Sequence, residues 1–192
     1  MRVILASKSP RRRELLGKLG TQMGFEFEII TRETDESLEE RVSCIQGVEI
    51  LAVRKGAAVA AELTSDSLVI SSDTLVELDG VMLGKPTDEN DARRMLKLLS
   101  ARAHNVHTGV AVHFGGRVYS GVASTAVSFR KIEADELEYY IKSGEPMDKA
   151  GAYGIQGYAG RFVESYEGDF DTVIGLSLAL TRRLMEEAVK YE

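Results

Sequence analysis

The 192-residue sequence contains one cysteine, no tryptophan and only 3 prolines. Because Cys44 has no second cysteine to pair with, it cannot close an intramolecular disulfide, and the sequence offers no cysteine-based zinc cluster. No apolar run approaches the ~18 residues that a membrane-spanning helix needs. The apolar stretch Val3–Ala6 is too short for the core of a secretory signal. These absences predict a cytoplasmic protein that makes no membrane contact.

An excess of positive charge is also missing. The chain has 24 Lys+Arg against 30 Asp+Glu, a formal net charge of −6. Binding to a nucleic acid polymer depends on neutralising phosphates, so this balance argues against DNA or RNA as a partner. With 44% hydrophobic residues the chain can bury a core. Neither a linker-like composition shift nor an internal repeat is visible, and residues 1–192 are therefore predicted to form a single domain.

The apolar pattern predicts an α/β fold, a mixed β-sheet flanked by helices with two lobes around a central cleft. In the first third, Ser9 and Pro10 are expected to start a helix that stops near Gly20. The other segments predicted there are a strand at Val3–Ala6, a half-buried strand spanning Phe25, Phe27 and Ile29, and an imperfect helix within Arg41–Leu63.

The rest of the chain is predicted to form a hairpin, two long strands and three helices. Asp79-Gly80 between two apolar runs is a hairpin signal. Thr87 is expected to cap a helix. The remaining predictions are buried strand Leu68–Ile70, hairpin strands Thr74–Leu78 and Val81–Leu83, strands Val106–Phe114 and Arg117–Phe129, helix Asp135–Lys142, a strand near Phe162–Glu164 and a final helix from about Leu178 to Tyr191.

The segment Ser7–Arg13 joins the first strand to the first helix and carries the hydroxyls of Ser7 and Ser9 with the cations Arg11 and Arg12. Free N–H groups at a helix N-terminus and the positive end of its dipole favour an anion. A local basic cluster in an acidic protein suits a small polyphosphate better than a long polymer. The alternative is a solvated helix start whose arginines pair with surface carboxylates.

The segment Ser71-Ser72-Asp73-Thr74 directly follows the buried run Leu68–Ile70. A carboxylate at the C-terminal end of such a strand lies where α/β sheets usually place ligands, and it can bind a metal ion or accept a proton from water. The alternative is an aspartate that caps a turn.

Asp35-Glu36 is a second acidic candidate, since Mg²⁺ is usually held by one or two carboxylates and substrate phosphates. It can equally be a solvated acidic loop. Lys55 and Lys85 are isolated cations, and Lys85 lies in a short loop between Gly84 and Pro86 where a phosphate ligand could be positioned.

Glycine is concentrated late in the chain, with 7 of the 18 glycines between Gly144 and Gly175. Such a segment can approach a ligand closely. Gln156 within it carries both a donor and acceptors and can therefore read a nucleobase edge. The alternative is a mobile surface loop. Sequence motifs for phosphate-binding P-loops, serine hydrolases and zinc proteases are absent, which favours metal-assisted attack by water over covalent catalysis.

Several of these motifs occur together in one protein family. The chain resembles the Maf family of nucleoside triphosphate pyrophosphatases, whose overall fold is that of the inosine-triphosphate pyrophosphatases. The matching pieces are Leu5–Leu16, Asp35-Glu36, Leu51-Ala52 with Lys55, Ser72-Asp73-Thr74, Gly84-Lys85-Pro86, His107–Val110 and Asp148–Gly157. The last piece resembles the branch that acts on dTTP and UTP rather than the branch that acts on 7-methyl-GTP.

The resemblance implies hydrolysis of dTTP, UTP and modified pyrimidine triphosphates to the monophosphate and pyrophosphate, with Mg²⁺ or Mn²⁺, by a homodimer. It implies that Asp73 accepts the proton and that Lys55 and Lys85 assist. Glu36 joins Asp73 at the metal. The implied substrate-binding residues are Ser7, Ser9, Arg11, Arg12, Thr74 and Gln156. A nucleotide-binding regulator of cell division with little catalysis is the alternative function.

The chain departs from the family pattern at a few positions. Gly56 and Ser72 stand where alanine is usual, Gly168-Asp169-Phe170 replaces Gly-Ser-Tyr, and Ser177 replaces a proline. The segment Val42–Ile50 also matches poorly. These departures concern packing and dimer contacts more than the chemistry.

Overall fold

The computed structural model describes residues 1–39 and 41–190. Within this part, one mixed sheet has the strand order β2-β1-β3-β5-β6-β7, and β4 pairs with β3 off that path. β1, β2 and β3 are parallel, whereas β3, β5, β6 and β7 run antiparallel in succession. The predicted mixed sheet is therefore confirmed. The strands are β1 (Arg2–Leu5), β2 (Glu28–Ile29), β3 (Ser67–Leu78), β4 (Val81–Leu83), β5 (Ala103–Phe114), β6 (Arg117–Phe129) and β7 (Val163–Glu167).

Helices cover both faces of the sheet. Helix α2 packs on β3 and β5 from one side, and α1 and α6 share a core with β1 and β5 on the other. The glycine-rich segment between α4 and β7 forms short 3₁₀ turns. The helices are α1 (Pro10–Met23), α2 (Cys44–Ala60), α3 (Glu89–Leu99), α4 (Ala134–Lys142), α5 (Phe170–Ile174) and α6 (Leu178–Lys190). Tyr191, placed in the last helix by the sequence prediction, lies outside the described residues.

Two apolar cores lie on either side of a cleft. One contains the distal half of β3 with α3 and α4, and the other contains β1, α1 and α6. The side chain of Ile155 packs against both. This arrangement agrees with the predicted two-lobed fold. None of the helices in the described ranges combines the length and the apolar character needed to cross a membrane.

The central strand β3 is longer than the sequence suggested. Leu68–Ile70 and Thr74–Leu78 belong to one continuous strand, so Asp73 lies in its middle and the prediction of a strand end there was wrong. However, β1 pairs with β3 only as far as Ile70. Beyond that point β3 has lost its parallel neighbour, and Asp73 and Thr74 on its two faces both border the cleft.

Other boundaries differ for local reasons. Helix α1 continues past Gly20 to end at Gly24, whose φ of 76° suits a left-handed cap. Gly20 instead allows close approach of the chain, since a Cβ there would lie 2.6 Å from the carbonyl oxygen of Phe25. The predicted Phe25–Ile29 strand is reduced to β2, where Ile29 is exposed, and α3 is capped by Asp88 rather than Thr87. Helix α5 was not predicted.

Candidate active site

The cleft between the two lobes has a volume of about 920 Å³. It is bordered by the loop after β1, the start of α1, the middle of β3, one face of α2, the loop after β4 and the glycine-rich segment. A second groove, over α1 and β2, contains none of the predicted site residues. All the predicted site residues line the cleft: Ser7, Ser9, Arg11, Arg12, Glu36, Lys55, Asp73, Thr74, Lys85 and Gln156.

The start of α1 faces this cleft with its capping groups in place. The Ser9 side chain accepts a hydrogen bond from the backbone N–H of Arg12 at 3.4 Å, and Pro10 occupies the first helical position. Ser7 Oγ accepts from the Ser9 N–H at 3.2 Å and from Arg12 Nη1 at 3.5 Å. The predicted helix start is confirmed, and it directs partial positive charge into the cleft.

Arg12 is held by bonds that reach across the fold. Its Nε donates to the carbonyl oxygen of Gly175 at 2.9 Å, and its Nη2 donates to Thr74 Oγ1 at 3.3 Å. Thr74 Oγ1 is in turn 2.9 Å from Thr108 Oγ1. Burial lowers the pKa of Arg12, while the nearby Asp73 carboxylate opposes that shift. The guanidinium is therefore fixed in place, with negative charge beside it.

Lys55 bridges the two predicted metal ligands. Its Nζ donates to Glu36 Oε1 at 2.7 Å and to Asp73 Oδ1. Asp73 is 8% exposed, whereas the Glu36 side chain reaches solvent. The hydrogen bond from Lys55 holds the pKa of Glu36 below its usual value. Two carboxylates thus converge on one cationic group at the floor of the cleft.

The loop after β4 and the glycine-rich segment are joined by their backbones. Gly151 N–H donates to the carbonyl oxygen of Gly84 at 3.0 Å, next to Lys85. Gly151 has a φ of 65°, and a Cβ there would lie 2.8 Å from Val76. Lys85 and Gln156 are both exposed, at the opening of the cleft. Each candidate ligand-binding side chain therefore projects from an anchored backbone.

Some residues at the site were missed or misjudged. Asp35, predicted with Glu36, is hydrogen-bonded to the N–H and hydroxyl of Ser37 and does not line the cleft. Arg32 does line it, but its guanidinium pairs with Glu62. Gly175, the acceptor that holds Arg12, follows α5 in sequence and carried no signal that linked it to residue 12.

Three metal-ligating side chains lie together outside the cleft. Ligand atoms of Cys44, Glu77 and His107 are all within 4.8 Å of one another. None of the three belongs to the predicted site. The prediction of no cysteine-based zinc cluster considered Cys44 by itself, but the fold gives this cysteine a histidine and a carboxylate as neighbours.

The chain is similar to known proteins over nearly its whole length. The family model described as Maf-like protein matches residues 2–188. The chain belongs to the Maf-like family.

Similar proteins include the dTTP/UTP pyrophosphatase of Moorella thermoacetica, which is 48% identical over 96% of this Maf-like chain and 93% of the relative. The dTTP/UTP pyrophosphatase of Vibrio cholerae is 45% identical over 97% of each chain. Among solved structures, a dITP/XTP pyrophosphatase from Mycobacterium abscessus is matched with a TM-score of 0.49 and 15% identity, over 100% of this chain and 96% of that one.

The departures of this Maf-like protein from the family pattern have structural counterparts. A Cβ at Gly56 would lie 2.5 Å from the His113 ring and 2.6 Å from Ser71 Oγ. Ser72 Oγ donates to the Gly175 carbonyl at 3.0 Å, the same oxygen that Arg12 uses. Ser177 Oγ donates to Asp169 Oδ2 at 3.0 Å and accepts from the first turn of α6. Ser72 therefore shares an acceptor with Arg12, and Ser177 is hydrogen-bonded to Asp169, another of these positions.

Proposed function

We propose that this Maf-like protein hydrolyses the pyrimidine nucleoside triphosphates dTTP and UTP, and modified pyrimidine triphosphates, to the monophosphate and pyrophosphate. The observation that carries the proposal is the convergence of cations, two carboxylates and a helix N-terminus in one cleft. The relatives named dTTP/UTP pyrophosphatase support this choice of substrate.

Arg11, Arg12 and Lys85 are proposed to bind the triphosphate. Arg12 is already fixed by three hydrogen-bond acceptors, so little side-chain freedom is lost when it binds a phosphate. Arg11 Nη1 lies 3.8 Å from Asp148 Oδ2, a contact loose enough to be exchanged for a phosphate oxygen. The N–H groups at the start of α1 add donors that carry no mobile side chain.

Glu36 and Asp73 are proposed to hold Mg²⁺ or Mn²⁺. Both carboxylates contact the same Lys55 ammonium, so the Glu36 and Asp73 side chains are already close together. Hard divalent cations accept two carboxylates when phosphate and water complete their coordination, and the residues present therefore fit. When bound, the metal ion supplies charge neutralisation on the triphosphate.

Asp73 is proposed to take a proton from the attacking water. Water attacks the α-phosphorus, the bond from that phosphorus to the oxygen bridging to the β-phosphate breaks, and pyrophosphate leaves with the bond's electron pair. The Lys55 ammonium orients the Asp73 carboxylate by donating to its Oδ1. Lys85 at the cleft opening is placed to offset charge on the leaving group.

Substrate choice is proposed to depend on Gln156, Thr74 and Arg11. Gln156 can donate and accept at a pyrimidine edge, and its backbone segment is tied to the loop of Lys85. A homodimer and a cytoplasmic location stay predictions.

The test measures pyrophosphate and orthophosphate separately, with Mg²⁺, over a panel of standard and modified triphosphates. We expect pyrophosphate from dTTP and UTP, and a loss of about 10²- to 10⁴-fold in kcat for Asp73→Asn with nucleotide binding retained. Asp79→Asn is the matched control, because Asp79 lies in the exposed β3–β4 turn and pairs with Arg102 on the surface. Nucleotide binding without pyrophosphate release would instead favour the regulator.

A further inference from the structure

Three side chains that can ligate a metal ion, a thiol, a carboxylate and an imidazole, lie together where the start of α2 crosses the sheet. Cys44 is the first residue of α2, Glu77 lies near the end of β3, and His107 lies on the adjacent strand β5. Their ligand atoms lie within 4.8 Å of one another, and His107 Nε2 is 3.0 Å from Glu77 Oε2. A tetrahedral Zn²⁺ with usual bond lengths sets its nitrogen and oxygen ligands about 3.3 Å apart. The imidazole and the carboxylate are now hydrogen-bonded, and they would need to separate by only a few tenths of an ångström to ligate one ion.

We propose that Cys44, Glu77 and His107 bind a Zn²⁺ ion that fastens the start of α2 to the sheet. A thiolate, an imidazole and a carboxylate form a donor set that Zn²⁺ accepts and that Mg²⁺ does not favour. Glu77 lies four residues from Asp73, about 13 Å along an extended strand. The site therefore has ligands distinct from those proposed for the catalytic metal, and the inference does not rest on the proposed function.

The surroundings of the three side chains support binding rather than simple packing. The other ring nitrogen of His107, Nδ1, lies 2.7 Å from Ser124 Oγ, the kind of outer partner that orients a metal-ligating imidazole. The His107 and Cys44 side chains are buried, whereas the Glu77 side chain is 26% exposed, which gives an ion access from solvent and leaves room for a water as fourth ligand.

The binding step balances in protons and charge. The bonds formed are Zn–Sγ, Zn–Nε2 and Zn–Oε. The thiol proton of Cys44 is released to solvent. Without metal, the neutral imidazole carries its proton on Nε2 and donates it to Glu77 Oε2. When Zn²⁺ takes Nε2, that proton is lost to solvent and Nδ1 takes one up, which it donates to Ser124 Oγ, so the imidazole stays neutral. No oxidant or reductant is needed.

Co²⁺ titration of the metal-free full chain tests the proposal. Because Cys44 is the only cysteine, a thiolate-to-Co²⁺ charge-transfer absorption can arise at this site alone. We expect the absorption to saturate at one Co²⁺ per chain and to disappear when Zn²⁺ is added in competition. It should be absent from Cys44→Ser and unchanged in Asp73→Asn, whose side chain belongs to the cleft.

Variants at the other ligands complete the test. His107→Gln and Glu77→Gln should weaken Co²⁺ binding, with folding checked by circular dichroism. Should those substitutions unfold the chain, Ser124→Ala at an exposed position still reports, and loss of this outer partner should weaken Co²⁺ and Zn²⁺ binding about 10- to 100-fold. Absence of the absorption in the folded wild-type protein, or its persistence in Cys44→Ser, overturns the proposal. Failure of pyrophosphate release would leave this result untouched, since the readout is absorbance.

Discussion

Replacement of Gly56 by alanine combines a gain in helix propensity with a loss from overpacking. Gly56 lies inside α2, where alanine is favoured over glycine by about 0.8–1 kcal/mol. The added methyl, however, would lie 2.5 Å from Cδ2 and Nε2 of His113 and 2.6 Å from Ser71 Oγ. The His113 ring is 7% exposed, and the Ser71 hydroxyl is held by the Ala52 carbonyl at 2.7 Å. Neither neighbour can move away freely.

Overpacking at a buried site costs about 1–3 kcal/mol. Because two anchored side chains are met at once, we take the upper part of that range and subtract the helix gain. Gly56→Ala should therefore destabilise the protein by about 1–2 kcal/mol, which for a chain of this size lowers Tm by roughly 2–8 °C. Displacement of α2 would also move Lys55 away from Asp73, so kcat should fall as well.

Urea denaturation measures the change as a shift in midpoint at constant slope. The matched control is Gly17→Ala in α1, where a Cβ meets nothing within 4 Å and the helix gain acts alone. Gly17→Ala should stabilise the protein by up to about 1 kcal/mol. In a His113→Ala background the penalty of Gly56→Ala should shrink by about 0.5 kcal/mol or more. Equal stabilisation by the two glycine substitutions in the wild-type background would refute the packing argument.

Three further predictions follow from the site and the core. Gln156→Ala should lower kcat/KM for dTTP and UTP more than for purine triphosphates, because a group that pairs a pyrimidine edge is lost; uniform loss across substrates in competition assays contradicts this assignment. Gly175→Ala should raise KM for the triphosphate, because residue 175 has a φ near 124° and the added Cβ would lie 3.3 Å from Arg12 Nε. The control Gly116→Ala is also strained but lies in an open turn, so it should lower stability alone. Burial lowers the pKa of His104 to about 4, so between pH 6.5 and 4 the unfolded chain binds a proton that the folded chain does not. The free energy of unfolding should therefore fall by up to about 3 kcal/mol as the pH drops through that window. His104→Gln should flatten this part of the pH–stability curve.

The sequence was informative where neighbouring residues act together. The cap of α1, the Asp79-Gly80 hairpin and the two long strands follow from local chemistry, and all were confirmed in type. The candidate site residues line one cleft, and several of them, such as Ser7, Ser9 and Lys85, lie in short motifs next to an element end. Their chemical roles stay predictions.

Features that depend on distant contacts could not be predicted in this way. Residues 72 and 175 share a hydrogen bond across 103 positions, and nothing near Ser72 indicates that partner. The cysteine, glutamate and histidine cluster joins three elements whose register is set only by the folded sheet. Likewise, the strand break expected after Ile70 fails because β5 continues to pair with β3 where β1 has ended.

The single backbone bond between Gly84 and Gly151 has a mechanical consequence. It couples the loop that carries Lys85 to the segment that carries Gln156. The residues proposed to contact the phosphates and the base of a bound nucleotide would therefore move together. A change that retunes base preference should therefore also alter how tightly the phosphate tail is gripped. To change base preference without changing phosphate binding, the hydrogen bond between Gly84 and Gly151 would first have to be broken.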